Sequence, residues 1–470
     1  MSVATAKHAA QVTQGLAEFL SDVAFRDLPE HVVADARRTV LDWLGCALAG
    51  SQEEPARIAR QVAAGLGSSD DATVFSGVRS SAAGAAFANG VATHILELDD
   101  IHKGSTIHGA APIVPAALAV AERQGADSRA LLLAVVAGYE AALRIGEAVN
   151  PSHYRYWHPT GTVATFGAAT AAASLLKLDA SELVHALGSA GTQAGGLWEF
   201  NADGAMSKVL HPGKAAMNGV LAADLAKLGF TGATRILEGE RGFFRATSEN
   251  FDTSRVLDGL GETWKISENC FKLYSCCGHT HSAIDAALDL RARLGWKGDE
   301  ALDSLRTLRL HTYGPGFEIV KERNPRTPYQ AKFSLAYVVA AALLEGRIGF
   351  EQFSDERFSS SGVHGPTAAL LDRIEIEVSP ELTGMYPAAW PARLDLTLTD
   401  GTRLQAGGDY PRGNPENPVT TKALEDKFRS LVEPRLGATQ AQCGLELIGN
   451  LGQEADGSAH LTAWKGFGAA

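Results

Sequence analysis

Three times in this chain a densely polar stretch turns at once into an apolar helix built from small residues. The first case is Leu96–Glu122, "LELDDIHKGSTIHGAAPIVPAALAVAE", where three acids, two histidines and a lysine fall within thirteen residues. The others are "YRYWHPTGT" and "SKVLHPGK", each leading into an Ala- and Gly-rich segment. Polar groups set this close to a segment that must be buried cost the fold free energy unless they bind something charged or do chemistry. A solvated loop in front of a core helix is the commoner fate of one charge cluster, but three of the same plan argue for walls of one site.

The helical pattern dominates the first 260 or so residues. In "PEHVVADARRTVLDWLGCALAG" the apolar positions Val32, Val33, Ala36, Val40, Leu41, Leu44 and Ala47 recur at three- and four-residue spacing, with Pro29 and Glu30 as a start and Gly50 as a stop. "DSRALLLAVVAGYEAALRIGEAV" has an Asp cap and is apolar all round, which predicts a buried helix. The texture changes near residue 267. There "ALDSLRTLRLHTYGPG" and "RIEIEVSPEL" alternate apolar with polar residues, and "ARLDLTLTDGTRLQAGGDY" reads as two strands about an Asp400-Gly401 turn. Between them "AKFSLAYVVAAALLEG" is a helix ended by Gly346, and after "PRGNPENPV" the segment "TKALEDKFRSLVEPRL" is an amphipathic helix again. The expected fold is mainly α: an all-helical domain from residues 1–266 and 412–470, with a smaller α+β lid domain, 267–411, inserted between and a cleft beneath it.

With 470 residues, 45% hydrophobic and 20% charged, the chain can bury a large core. Its formal charge of −12 argues against nucleic acid or an anionic membrane as partner, so an anionic ligand needs a locally basic pocket. The N-terminal segment has no signal-peptide pattern and no apolar run is long enough to span a membrane, which places the protein in the cytoplasm. Five cysteines, an odd number, suggest reduced thiols. Cys46 reads as a small core residue. Cys270, Cys276 and Cys277, followed by His279 and His281, raise zinc or iron–sulfur ligation, but a vicinal Cys-Cys pair lacks the spacing that lets two thiolates converge on one ion, so no metal is expected.

The candidate groups are Glu97, Asp99, Asp100, His102, Lys103 and His108 from the first stretch; His153, Tyr154 and His158 from the second; Lys208, His211 and Lys214 from the third; and Lys272, Tyr274, His279 and His281 near residue 267. Lysines and histidines facing one cavity would bind a di- or tricarboxylate, and the same groups can move protons at carbon next to a carboxylate. Lys208 and Lys272 stand among apolar neighbours, where a solvated lysine is less natural. His102, Lys103, His153 and Lys214 read as supporting or surface groups, and Lys321, Glu322 and Arg323 as a solvated face.

Taken together, "LDWLGCALAG", "AFANGVATHILELDD", "WHPTGTVATFGAATAAA", "AGTQAGGLWEF", "LHPGKAAMNGVLAADLAKLGFTGA", "FKLYSCCGHTHSAIDA" and "AKFSLAY" resemble the MmgE/PrpD family, in order from about residue 20 to 430. Its members include dehydratases of 2-methylcitrate, decarboxylases of cis-aconitate and epimerases of iminodisuccinate. The resemblance implies a helical domain built from both chain ends, an α+β lid, a homodimer, and neither metal nor organic cofactor. It assigns catalytic parts to Glu97, His108, Tyr154, His158, Lys208 and Lys272; among the other polar candidates, Asp99, His102, His211 and His279 are expected to bind substrate. Two positions depart from the family's "D-F-D-D-T" pattern: Glu97 stands for its first aspartate and Ile101 for its threonine, while His108 follows with one extra residue between. The tyrosine that decarboxylases carry shortly before "KFS" has no counterpart unless the register shifts to Lys321 or Tyr329. The longer Glu97 side chain moves its carboxylate by about 1.5 Å, a distance that matters where reacting groups are held to fractions of an ångström. The expected activity is a hydro-lyase, with a decarboxylase or epimerase as alternatives and a non-catalytic carboxylate binder as the alternative of another kind.

Overall fold

Residues 11–67, 69–453 and 458–468 are described by the computed structural model. They fall into two units: one takes the chain up to Asn269 and again from Thr420, the other is Cys270–Val419. The junctions lie a few residues beyond those read from the sequence, and hydrogen bonding explains why. The Phe271 amide donates to the Gly413 carbonyl (2.9 Å), and the Cys270 thiol lies 3.1 Å from the Asn414 side chain, so the "PRGNPENPV" loop is tied into the second unit.

In the first unit the chain builds α1 (Glu30–Gly50), α2 (Ala82–His94), α3 (Ala110–Gln124), α4 (Ser128–Val149), α5 (Ala164–Leu175) and α6 (Ser207–Lys227). The Asp127 carboxylate caps α4 by accepting from the Ala130 amide (2.8 Å), and Ser81 caps α2 through the Gly84 amide. α6 packs on α2 and α5, α4 on α5, and α3 on α2 and α5. Alanine brings little apolar surface to bury, so these helices gain mainly from close contact of many atoms. Glycines make that contact possible: a Cβ on Gly138 of α4 would sit 2.8 Å from the Gly167 carbonyl oxygen of α5.

α6 begins a full turn before the "HP" step, so His211 and Pro212 lie inside the helix and not in a loop ahead of it. Pro212 is the sixth residue of α6, beyond the first turn, so its missing N–H removes one intrahelical hydrogen bond there.

The second unit carries α7 (His281–Leu294) and α8 (Leu335–Glu345) with strands β1 (Leu305–Thr312), β2 (Ile374–Val378), β3 (Ala392–Leu398) and β4 (Arg403–Gly408). The sheet order is β2-β1-β3-β4, with β1 and β2 parallel and the other pairs antiparallel. β3 buries Ala392, Leu394, Leu396 and Leu398 on alternate positions, and α7 covers β3 and β4. The β3–β4 hairpin turns at Asp400 and at Gly401, whose φ of +88° suits glycine. In the first unit, α9 (Thr421–Asn450) packs on α1 and is interrupted at Gly437, φ +86°. No helix among the described residues is long and apolar enough to cross a membrane. The five cysteines are free thiols.

Candidate active site

The α2–α3 connection is pinned at several points. Glu97 takes a left-handed backbone, φ +55°, and its buried carboxylate pairs with the equally buried Lys208 ammonium at the start of α6. Lys427 of α9 reaches in to the Asp42 carboxylate (2.5 Å) and to the Leu98 carbonyl (2.8 Å). Asp99, fully buried, holds His94 Nδ1 at 2.8 Å and lies 3.5 Å from His108 Nδ1. The His108 amide donates to Thr160 Oγ1 (3.1 Å), tying this connection to the "WHPT" turn.

Four imidazoles gather here. The ring of His94 is 4.6 Å from that of His108 and 5.6 Å from that of His158, centre to centre, and His158 and His211 share a hydrogen bond between their Nδ1 atoms at 3.0 Å. Burial first, then the neighbouring His211, Lys208, His94 and His108, hold the His158 pKa well below the usual histidine value. His211 is lowered to about 3, by burial and then by His94, Lys214 and Lys208. Both rings are therefore neutral near pH 7, ready to accept or relay a proton. Lys214 donates to the Gly195 carbonyl (2.7 Å), while the next carbonyl, of Gly196, accepts from the His158 amide (3.0 Å). Burial lowers Lys214 to about 8.

Asp100 is turned under the connection. One oxygen accepts from the Ala110 amide at the start of α3 (3.1 Å) and the other from the Tyr139 hydroxyl. Burial raises its pKa to about 7 against the opposing pull of that Tyr139 bond. A carboxyl whose native pKa lies above its unfolded value binds more protons folded than unfolded, so its share of stability is full below about pH 4 and is lost as pH rises through about 7. The difference in unfolding free energy between the protein and its Asp100→Asn variant should thus shift by a few kcal/mol against the natural protein between those limits, as read by denaturant titration at each pH. A difference that stays constant with pH would refute the assignment.

In the second unit, Lys272 and His279 are buried, and His279 Nδ1 is 2.5 Å from the Tyr313 hydroxyl with the Trp390 ring 4.3 Å away. Burial, then Lys272, lowers His279 to about 3. Tyr274 is engaged by Asp285 (2.5 Å) and Arg412 (2.8 Å), and His281 by the Cys276 carbonyl (3.3 Å). Burial pushes the Cys276 thiol up to about 12, which leaves it unreactive.

Of the residues singled out in the sequence, Glu97, Asp99, His108, His158, Lys208 and His211 come together in the first unit, and Lys272 and His279 neighbour each other in the second. Tyr154 stands one ring further out, edge-on to Trp198 (5.1 Å), which in turn packs on His158 (4.9 Å). His102 is held by other partners: its Nδ1 meets Ser105 Oγ (2.9 Å) and its Nε2 lies 3.3 Å from Glu268 and 3.6 Å from Glu147. His153 is likewise taken up by Thr162 (2.8 Å) and the Thr247 carbonyl. The sequence reading gave no role to His94, Thr160, Tyr139, Tyr313 or Trp390. His94, five residues before Asp99 at the end of a helix made mostly of alanine and glycine, carried the one signal that a reading of helix ends could use.

Two groups of side chains among the described residues have metal-ligand types close together: His94, His108 and His158, and His102, Glu147 and Glu268. Neither contains a cysteine.

The MmgE/PrpD N-terminal domain matches residues 14–256, and the MmgE/PrpD C-terminal domain matches residues 274–453. The chain belongs to the MmgE/PrpD family. It is 29% identical to a human (Homo sapiens) cis-aconitate decarboxylase over 97% of this chain and 95% of that protein. It is 26% identical to a cis-aconitate decarboxylase of Aspergillus terreus over 89% of each. A 2-methylcitrate dehydratase-like protein of Aspergillus oryzae is 26% identical over 46% of this chain and 44% of its own length.

Proposed function

We propose that the protein is a lyase acting on a small di- or tricarboxylate, by a reaction that develops negative charge on carbon next to a carboxylate. The observation that carries this reading is the buried group of Lys208 with the neutral imidazoles of His158 and His211 and the Asp99-linked His94 and His108. An ammonium held in a low-dielectric setting stabilises a substrate carboxylate and the enolate-like charge that spreads onto it. A neutral imidazole at van der Waals distance can take a proton from carbon or pass one to it. With its Nδ1–H donated to His211, His158 would present a bare Nε2 for that exchange. The family resemblance further assigns a carboxylate-holding part to Lys272, and a base of reserve to Tyr154.

Two reactions fit. Decarboxylation of a cis-aconitate-like acid is favoured by relatives of that activity matching nearly the whole chain, whereas the dehydratase-like relative matches under half of it. Elimination of water from a 2-methylcitrate-like acid is favoured by the neutral state of His158, which suits a base that removes the α-proton. In the first, the C–C bond to the departing carboxylate breaks, its electron pair passes to carbon, carbon dioxide leaves and a proton is delivered. In the second, a proton and a hydroxide depart as water. Proton NMR of a panel of such acids incubated with the protein in deuterated water distinguishes them: on decarboxylation carbon dioxide is released and deuterium enters product carbon, whereas on dehydration no carbon dioxide forms, the methine proton is lost and the neighbouring methyl doublet collapses to a singlet. A panel that binds but neither reacts nor exchanges any C–H would leave only a carboxylate-binding protein. We further propose, as the resemblance implies, a homodimer that turns over without a cofactor, and, from the sequence pattern, a cytoplasmic location; a single-chain mass in sedimentation would refute the dimer.

A further inference from the structure

Within the site just described, three of the imidazoles have the makings of a ligand set that proton transfer does not require. His94 comes from the end of α2, His108 from the start of α3 and His158 from the "WHPT" turn, and one ring nitrogen of each lies within 4.8 Å of the other two. All three are buried. Tetrahedral zinc with Zn–N bonds of about 2.0–2.1 Å needs nitrogens roughly 3.4 Å apart, so each ring has to shift inward by about 1 Å or less. The rings are already aimed. His94 gives Nδ1 to the Asp99 carboxylate (2.8 Å), which leaves its Nε2 buried and without a hydrogen-bond partner. A carboxylate behind the far nitrogen is how proteins orient a metal-binding histidine and raise its basicity. His158 has its Nδ1 on His211 (3.0 Å), which leaves its Nε2 as the nitrogen for the ion.

Charge agrees with this. Asp99 contributes a buried anion touching two of the three imidazoles, and the nearest ammonium, Lys208, is matched by Glu97. Three imidazole nitrogens with one open position suit zinc, copper or nickel and not magnesium or calcium, which prefer oxygen. The second cluster, His102 with Glu147 and Glu268, differs: the Lys265 ammonium stands 3.0 Å from both carboxylates and fills the place of a cation.

We propose that His94, His108 and His158 bind one divalent ion of the zinc class, oriented by Asp99, and that this ion blocks the carboxylate site by taking His108 and His158 out of proton transfer. The blocking half rests on the lyase reading; the binding half does not. The test uses the full chain, stripped with chelator and titrated with zinc chloride or cobalt chloride. The expected result is one zinc per chain, and a cobalt form with the strong visible absorption of a low-coordinate nitrogen site. His94→Ala should weaken zinc binding by about 100-fold, and Asp99→Asn by about 10- to 100-fold. Cys443→Ser, which removes the exposed thiol, should leave both unchanged. Should His94→Ala fail to fold, His158→Gln with an unchanged far-UV spectrum serves in its place. Zinc uptake unaffected by either histidine variant, or a featureless cobalt spectrum, overturns the site. Zinc that binds at these residues but leaves turnover intact overturns the blocking role. A metal-free protein that turns over no acid in the panel refutes the lyase reading while the zinc stoichiometry still stands on its own.

Discussion

Replacing His158 with alanine is expected to lower kcat by about 10²- to 10⁴-fold, the usual worth of a positioned general acid or base. KM should change by only a few-fold, because the charge that holds a substrate carboxylate comes from Lys208 and not from a neutral ring. Burial and the cations around it keep His158 in the neutral form, so raising the pH should not rescue the variant. Added imidazole should, in part, since the deletion opens a buried space of the right shape beside His211 and His94. The variant should also fold, because His158 buries one ring edge-on to Trp198 and Phe200 and supports no charge. Initial rates with and without imidazole, together with a thermal melt, make the test. Wild-type turnover by a folded His158→Ala protein would remove His158 from the chemistry.

What the sequence discloses and what it hides follow from how far apart interacting residues lie. The Leu96–His108 stretch announces itself because charge beside an obligatorily buried helix has to be accounted for locally, and Glu97, Asp99 and His108 are all found there. Strand periodicity is local too, so β1 to β4 are legible; the parallel pairing of Leu308 with Ile374 is not, because nothing in either segment names the other. The same blindness misplaces His102, whose partner Glu268 is 166 residues away, and hides the Tyr139 hydroxyl that binds Asp100 across 39. His94 is missed for another reason. It ends a largely buried helix made mostly of alanine and glycine, and a histidine in that company reads as core until Asp99 is seen to hold one of its nitrogens. The glycines of α4 and α5 look like weak points of a helix, since glycine has low helix propensity, yet the contact between Gly138 and Gly167 makes them the places where the helices touch.

Lys208→Met is expected to be costly in two separable ways. Lys208 and Glu97 are both almost wholly buried, so removing the ammonium leaves a carboxylate in the interior without its counter-charge. Breaking such a pair from one side typically costs about 3–5 kcal/mol of stability, because the remaining charge keeps its desolvation penalty and loses its compensation. Glu97 has little freedom to escape, being fixed in a left-handed backbone between the end of α2 and the Lys427-bound Leu98 carbonyl. Adding Glu97→Gln to Lys208→Met should therefore restore most of the lost stability, since a neutral amide is far cheaper to bury than an ion. It should not restore turnover, because the cation that meets the substrate is still absent. Denaturant titrations of the two single variants and the double variant give the coupling energy directly. A Lys208→Met protein as stable as the natural one would show that the pair is not buried, and a double variant that recovered turnover along with stability would show that Lys208 serves the fold and not the substrate.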